Sequence, residues 1–346
     1  MTKKQHPIGS GFTAGSTAAE VVEGIDLSGR NVIVTAGHVG LGLETTRALA
    51  NAGANVVVAS RNPATATAAL SGIGGIGGIG AIGGIGGIGG IEVDQLDLID
   101  PASVEAFAER YRDSGRPLRI LINNAGVMGG DLVRDPRGYE QQFATNHLGH
   151  FQLTHGLLPA LRKAGGARVV EVSSWGHHLS DIRWDDPHFE QDYDGMVAYG
   201  QSKTANVLFA VELDRQWADD GIRGYSLHPG GIVSTNLGPS FSIEDWRAMG
   251  LVDDADQPII DPANDMKTPE QGASTTVFAA TSPLLADIGG VYLADNDIAP
   301  LEVGATPVVV DLGSGPLHTT PGVTPYAVDP ESAQRLWALS EKLLTA

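Results

Sequence analysis

Asn31-Val32-Ile33-Val34-Thr35-Ala36-Gly37-His38-Val39-Gly40-Leu41-Gly42 is the stretch on which the reading of this chain turns. Its β-branched run predicts a buried strand over Asn31–Thr35. The glycines that follow turn the chain into a helix over Gly42–Ala52. Strand, glycine turn and helix open a βαβ unit, and there the glycines let backbone N–H groups and a helix N-terminus approach a pyrophosphate. A glycine turn alone is a weak signal; its position after a first strand gives it weight. Gly37, His38, Val39, Gly40, Leu41 and Gly42 are the first candidate binding residues.

From this unit outward, apolar strands alternate with amphipathic helices. Further strands are predicted over Asn55–Ala59, Ile91–Leu96, Leu118–Ile122, Arg168–Val172, Ile222–Leu227 and Gly290–Leu293. Helices are predicted over Pro101–Ser114, Gly138–Leu161 and from about Ala198 to Asp219. The alternation implies an α/β fold: a Rossmann-type, doubly wound, parallel seven-stranded sheet flanked by helices. Nothing splits it, so residues 29–346 read as a single domain, preceded by an N-terminal extension over residues 1–28.

Residues 71–91 break the pattern. Ile recurs every third position from Ile73 to Ile91, and twelve of these 21 residues are Gly. A period of three fits neither strand nor α-helix, and ordering so many glycines is entropically costly. The segment reads as a low-complexity insertion forming a flexible excursion before the third strand. Its uncharged length approaches that of a membrane span, but glycine dilutes it and a span there would cut the sheet.

Composition narrows the partners. Asp plus Glu number 41 against 22 Lys plus Arg, a net charge of −19, which repels nucleic-acid backbones and anionic membranes. No cysteine is present, excluding disulfides, thiolate metal sites and cysteine nucleophiles. Lys3 and Lys4 are not followed by an apolar run, so no secretion signal is read and a cytoplasmic protein is expected.

Several strand ends carry polar residues suited to a dinucleotide. Ser60 and Arg61 close the second strand where an acidic residue would favour NAD, and an arginine there can pair with a 2′-phosphate. NADP is therefore the preferred cofactor and NAD the alternative. Asp97 and Leu98 close the third strand where an adenine would lie. Tyr199 and Lys203 stand at i and i+4, on one helix face. An ammonium near a phenol lowers its pKa from about 10 and lets it exchange protons near neutrality.

With Asn123-Asn124-Ala125-Gly126 after the fourth strand, the accumulated order resembles the short-chain dehydrogenase/reductase family. The glycine turn, the Ser173-Ser174 pair, Tyr199-Gly200-Gln201-Ser202-Lys203 and the His228-Pro229-Gly230-Gly231-Ile232-Val233-Ser234-Thr235 turn stand in register over about residues 25–345. The retinol-dehydrogenase-like branch is the most similar, on Asn146-His147-Leu148-Gly149-His150-Phe151, Ser173-Ser174-Trp175-Gly176-His177-His178 and the 25 positions from Ser174 to Tyr199. One departure is Ala36, where the family's turn has its first glycine.

The resemblance implies an NAD(P)-dependent oxidoreductase moving a hydride between nicotinamide and an alcohol or carbonyl. Tyr199 would give or take the proton, and Lys203 would lower its pKa and bind the nicotinamide ribose. Ser174, rather than Ser173, would hold the substrate oxygen, and Asn146 a water that relays protons to Lys203. Asn124, Ala125, Gly126, Pro229, Gly230 and Ile232 would complete the cofactor site. A homodimer or homotetramer is left open. Competing readings are a nucleotide-sugar epimerase or dehydratase and a non-catalytic cofactor-sensing protein.

The substrate wall is expected from residues 175–197, with Trp184, Phe189 and Tyr193, and from a lid over 236–265, with Phe241, Trp246 and Met249. Neither offers a cluster of Arg or Lys, so an apolar small-molecule substrate fits best. Ten histidines invite a metal reading. However, His177 and His178 do not converge as neighbours, and His147 and His150 lack a nearby carboxylate, so they read as packing and no metal is expected.

Overall fold

The computed structural model describes residues 4–71, 77–80, 90–233, 237, 242–248, 250–308 and 321–345. Strands are β1 (Asn31–Thr35), β2 (Asn55–Ser60), β3 (Gly77–Gly80), β4 (Gly90–Gln95), β5 (Ile120–Asn123), β6 (Ala167–Val172), β7 (Ile222–Leu227), β8 (Val291–Ala294) and β9 (Asp297–Ile298). They form one sheet in the order β3-β4-β2-β1-β5-β6-β7-β8-β9. The seven expected strands make up its parallel interior, so the doubly wound reading holds. The order reverses beside β1, which is where such sheets open a crevice for a ligand.

Two edge strands extend the sheet to nine. β9 pairs antiparallel with β8 through two residue pairs, too short for a period-2 signal. β3 comes from the Gly/Ile insertion and pairs parallel with β4, Gly77 opposite Gly90. A four-residue segment of the expected excursion is therefore ladder; the rest of 71–91 apart from residues 71, 90 and 91 lies outside the described residues.

Helices cover both faces: α1 (Ala18–Val22), α2 (Gly40–Asn51), α3 (Pro63–Leu70), α4 (Pro101–Asp113), α5 (Gln141–Phe143), α6 (Gly149–Gly156), α7 (Leu158–Lys163), α8 (Gly195–Trp217), α9 (Ile243–Ala248), α10 (Pro269–Gly272), α11 (Ser274–Thr281) and α12 (Pro330–Thr345). On one face Val32, Val34, Val56, Val170 and Leu227 pack under α2 and α11; on the other Ile33, Leu121 and Val169 pack under α4, α6 and α8, the last through Phe209. Both faces being buried explains why the central strands β1, β2 and β5 are continuous apolar runs, whereas β4, nearer the edge, alternates.

The expected single helix over Gly138–Leu161 is not continuous. A π-turn occupies Ala144–Leu148, and Pro159 begins a separate helix because a proline cannot continue the preceding hydrogen-bond ladder. The N-terminal extension is also more integrated than a polar lead-in. Gln5 Nε2 donates to the carbonyls of Tyr292 and Ala299, and Asp297 accepts from the backbone of Ile8, Gly9 and Ser10. Among the described residues no helix is long and apolar enough to cross a membrane.

Candidate active site

The glycine turn leads from β1 into α2, whose cap position, Val39, offers no side-chain hydrogen bond, and no acid stands in the first turn. By contrast α3, α4 and α8 are capped by Asn62, Asp100 and Asp194. The uncapped N–H groups of α2 suit an anion, and His38 Nδ1 is a further buried atom without a partner. These residues fit a dinucleotide pyrophosphate. Gly42 is required by closeness: a Cβ there would stand 2.4 Å from Ala36 O and 2.7 Å from Asn124 Nδ2.

Ala36 takes φ +52°, a left-handed conformation that costs an L-residue about 1–2 kcal/mol. The turn thus keeps its shape despite the missing glycine, at the expense of strain. Ala36→Gly is expected to raise stability by about 0.5–1 kcal/mol after the glycine's larger unfolded-state entropy is subtracted. Urea melts would check this, and a less stable variant would show that the strain is absent.

Thr35, not singled out by sequence, ties this turn to the second motif. Its Oγ1 accepts from Asn124 N and Ala125 N at 2.9 Å each, and Asn124 Nδ2 donates to Thr35 O. Having accepted twice, the hydroxyl donates to His150 Nε2 at 3.0 Å, which leaves the His150 proton on Nδ1, donated to Asn146 O. Burial and the Lys203 charge hold His150 neutral, with its pKa down at about 4. It therefore packs, as expected, but it also links the two cofactor motifs to Asn146.

Asn146 sits in the π-turn with both side-chain atoms engaged. Its Oδ1 accepts from Val127 N at 2.8 Å; its Nδ2 donates to Val127 O and to Ser202 Oγ, both at 2.9 Å. Its carbonyl accepts from Asn206 Nδ2 at 2.8 Å as well as from His150. These bonds also make Asn146 a brace that fixes the loop after β5 against α8. A position added to Gly126 would lie 3.4 Å from Asn146 Oδ1 and 3.6 Å from Lys203 Nζ, which shows how tightly the three converge.

Ser173 and Ser174 leave β6 in opposite directions. Ser173 Oγ donates to Lys203 O at 2.8 Å, while the Ser174 hydroxyl accepts from Gly176 N at 3.0 Å and faces the Tyr199 phenol, whose pKa it pulls down. The Ser174 side chain is thus the one that meets Tyr199. Lys203 Nζ lies 5.6 Å from the Tyr199 ring centroid and donates to Val172 O at 2.9 Å.

The acidity runs opposite to the expectation from i, i+4 spacing. Burial drives the Tyr199 phenol up to about 12, with Ser174 alone pulling it down, and burial drives Lys203 down to about 8. The ammonium stands over the ring and faces a carbonyl instead of the phenol oxygen, so desolvation wins. A rise of that size favours the neutral phenol by about 3 kcal/mol. The site without ligand therefore stores its proton on Tyr199.

Gly176 is a further residue that sequence reasoning did not find. A Cβ there would stand 2.6 Å from Tyr199 Cε1 and 3.3 Å from Ser174 Oγ, so the ring lies directly on the glycine. The Ser174-Trp175-Gly176 order carried the signal, but only the approach of α8 reveals it.

The remaining cofactor candidates surround these. Leu98 is buried against Gly149, and Asp97 accepts from Ile99 N. Ser60 is buried and bonded to Asn62, while Arg61 is exposed and has no ion pair among the described residues. Gly230 lies against the Lys267 stem, and Ile232 meets Leu41 over Gly272, which joins the Pro-Gly turn to α2. His228 accepts from Trp175 N at Nδ1 and donates from Nε2 to Asp265 Oδ2 at 2.8 Å, clasping the segment after Ser174 to the one after Gly231.

The expected wall aromatics mostly pin loops. Trp184 stacks under Arg335, and Phe189 is buried beneath Arg183 and Tyr193. Phe241 and Met249 lie outside the described residues. Among the described residues no group of three His, Cys, Asp or Glu side chains could hold a metal.

Comparison with known proteins agrees with this arrangement. The chain is 44% identical over 324 residues to a "probable oxidoreductase" of Streptomyces antibioticus, covering 93% of this chain and 100% of that one. It is 34% identical over 321 residues to retinol dehydrogenase 12 of Bos taurus, covering 92% and 88%. A crystal structure of an uncharacterised protein from Mycobacterium paratuberculosis superposes with a TM-score of 0.67 at 32% identity, covering 96% and 98%. The family described as short chain dehydrogenase matches residues 30–245. With the glycine turn, the Ser174–Tyr199–Lys203 cluster and the doubly wound sheet already in place, the chain belongs to the short-chain dehydrogenase/reductase family of NAD(P)-dependent oxidoreductases.

Proposed function

We propose that the protein prefers NADP and interconverts an apolar alcohol and its carbonyl, with Tyr199 as acid/base, Ser174 holding the substrate oxygen and Lys203 the ammonium beside them. The observation that carries this is the convergence of Tyr199 and Ser174 on Gly176 under a buried lysine, with the uncapped N-terminus of α2 on the cofactor side. Bound nicotinamide supplies the hydride. Ser174 positions the substrate oxygen, and its hydroxyl stabilises negative charge as it develops there. The neutral phenol then delivers the proton, so the resting site is set for carbonyl reduction. In oxidation the same phenol must first lose its proton, which its raised pKa opposes.

Arg61 supports the NADP preference: an exposed guanidinium just after β2, without an ion pair among the described residues, suits a phosphate. A charge-assisted pair of this kind contributes about 1.5–3 kcal/mol. Arg61→Ala is expected to raise KM for NADPH about tenfold or more and to leave NADH almost unaffected. Rates for a panel of alcohols and carbonyls with both cofactors, followed by reduced-nicotinamide absorbance, test the whole reading. Equal use of NADH and NADPH by the unmodified protein would remove the preference, and turnover confined to charged or phosphorylated substrates would remove the apolar assignment.

The segment over 236–265 is the proposed lid. Its described part turns back on itself, Val252 bridging Pro258, and is anchored where Met266 bridges Gly231 and Asp261. That anchor lies beside the Pro-Gly turn, so movement of the segment is coupled to the cofactor side. The one-domain organisation with an N-terminal extension, a cytoplasmic location and assembly as a homodimer or homotetramer belong to the same proposal.

A further inference from the structure

One buried acid has no part in the chemistry described so far. Glu171 lies next to the C-terminal end of β6, wholly buried, in register with Asn123 of β5 and Ser226 of β7. A carboxyl so placed must be neutral or well partnered. Asn123 Nδ2 donates to its Oε1 and Asn206 Nδ2 to its Oε2, the latter at 3.4 Å, while the Asn123 and Asn206 Oδ1 atoms have no partner among the described residues. Both amides therefore turn their nitrogens to this carboxyl. We propose that Glu171 is a positioning residue of the active site, the partner that keeps the Lys203 side chain an ammonium. The inference rests on the proposed roles of Tyr199 and Lys203.

The geometry ties the two residues through one turn of α8. Lys203 and Asn206 are i and i+3, on one helix face. Three consecutive residues at the end of β6 and just beyond it meet this turn: Glu171 through Asn206, Val172 through its carbonyl on Lys203 Nζ, and Ser173, which follows the strand, through its hydroxyl on Lys203 O. Lys203 is held at both ends by the strand that carries Glu171. The other groups near the pair carry no competing charge. His150, on α6, is kept neutral; Asn146 and Asn206 contribute amides; Thr154 and Ser226 contribute hydroxyls; Tyr199 stays a phenol.

Burial pushes the Glu171 carboxyl up to about 8 and Lys203 down to about 8, and each charge draws the other back toward ionisation. Below that range Glu171 holds its proton and Lys203 is charged without help. As pH rises the carboxyl ionises, and the carboxylate then opposes loss of the Lys203 proton. Gln at position 171 removes only this second effect, so the loss grows with pH.

The test compares Glu171→Gln with the unmodified full chain. The ratio of variant to unmodified kcat is expected to fall about fivefold or more between about pH 6 and about pH 9. In the protein labelled with 13C-lysine, the Lys203 ε-carbon resonance, assigned by its loss in Lys203→Arg, should titrate about one unit lower in the variant. A ratio constant with pH together with an unmoved Lys203 midpoint would overturn the proposal and leave Glu171 a packing residue. Should Glu171→Gln not fold, the unmodified protein decides: its Lys203 resonance should respond in two steps, one for each partner, and a single step overturns the proposal. The resonance needs no turnover, so it stands apart from the catalytic reading, which Tyr199→Phe tests separately.

Discussion

Tyr199→Phe is expected to lower kcat by about 10²–10⁴ while the dissociation constant for cofactor changes less than about twofold. The phenyl ring keeps its seat on Gly176 and its place under Lys203, so the change removes one oxygen and little packing. That oxygen faces Ser174 and, pushed up by burial to a pKa of about 12, holds a proton throughout the neutral range. Carbonyl reduction should therefore be nearly flat in pH around neutrality in the unmodified enzyme, because the donor is fully protonated there. Steady-state rates and fluorescence titration with reduced nicotinamide separate the two effects. A variant that still turned over at a tenth of the original rate would show that another group transfers the proton.

Gly176→Ala should cost about 10² in kcat with the fold retained. The added methyl would stand 2.6 Å from Tyr199 Cε1, so the ring or the short helix after Ser174 must yield by several tenths of an ångström to 1 Å. Displacements of that size between reacting groups are enough for losses of this order. Overpacking elsewhere in a core lowers stability by about 1–3 kcal/mol and leaves rates alone. Here the contact is with the phenol-bearing ring itself, so the fall should be in kcat more than in thermal midpoint. A variant with unchanged kcat and a lowered melting temperature would reverse the assignment.

Much of this was legible in the sequence. Most of the seven strands could be read because they are apolar runs buried on both faces, as in Asn31–Thr35 and Asn55–Ser60, and the glycine turn was readable because it follows the first of them. The choice of Ser174 over Ser173 came from the order of motifs; in the structure the two hydroxyls have different partners, Lys203 O for Ser173 and Gly176 N for Ser174. What could not be read depends on partners distant in sequence. Asn146 is a brace because the π-turn and Ser202 occupy its amide. The acidity of Tyr199 depends on burial and on where Nζ points, and the i, i+4 spacing fixes neither. Glu171 sits within a run of valines and is inconspicuous until Asn123 and Asn206 are seen to converge on it. The strand over Gly77–Gly80 was hidden by a three-residue period that matches no regular element.

The clamp on the N-terminal segment also bears on how the site comes together. Gln5 joins Tyr292 and Ala299, and the Tyr292 phenol donates to the Ser174 carbonyl at 3.3 Å. The first residues and the catalytic serine thus meet at one tyrosine on β8, through contacts spanning nearly 290 and 118 positions. Links of such range repay their loop-closure entropy only after the intervening chain has found its place. The sheet and its helices can assemble from contacts closer along the chain. The environment of Ser174 is completed only when β8 and the opening segment dock, so catalytic competence is tied to the most non-local event in folding.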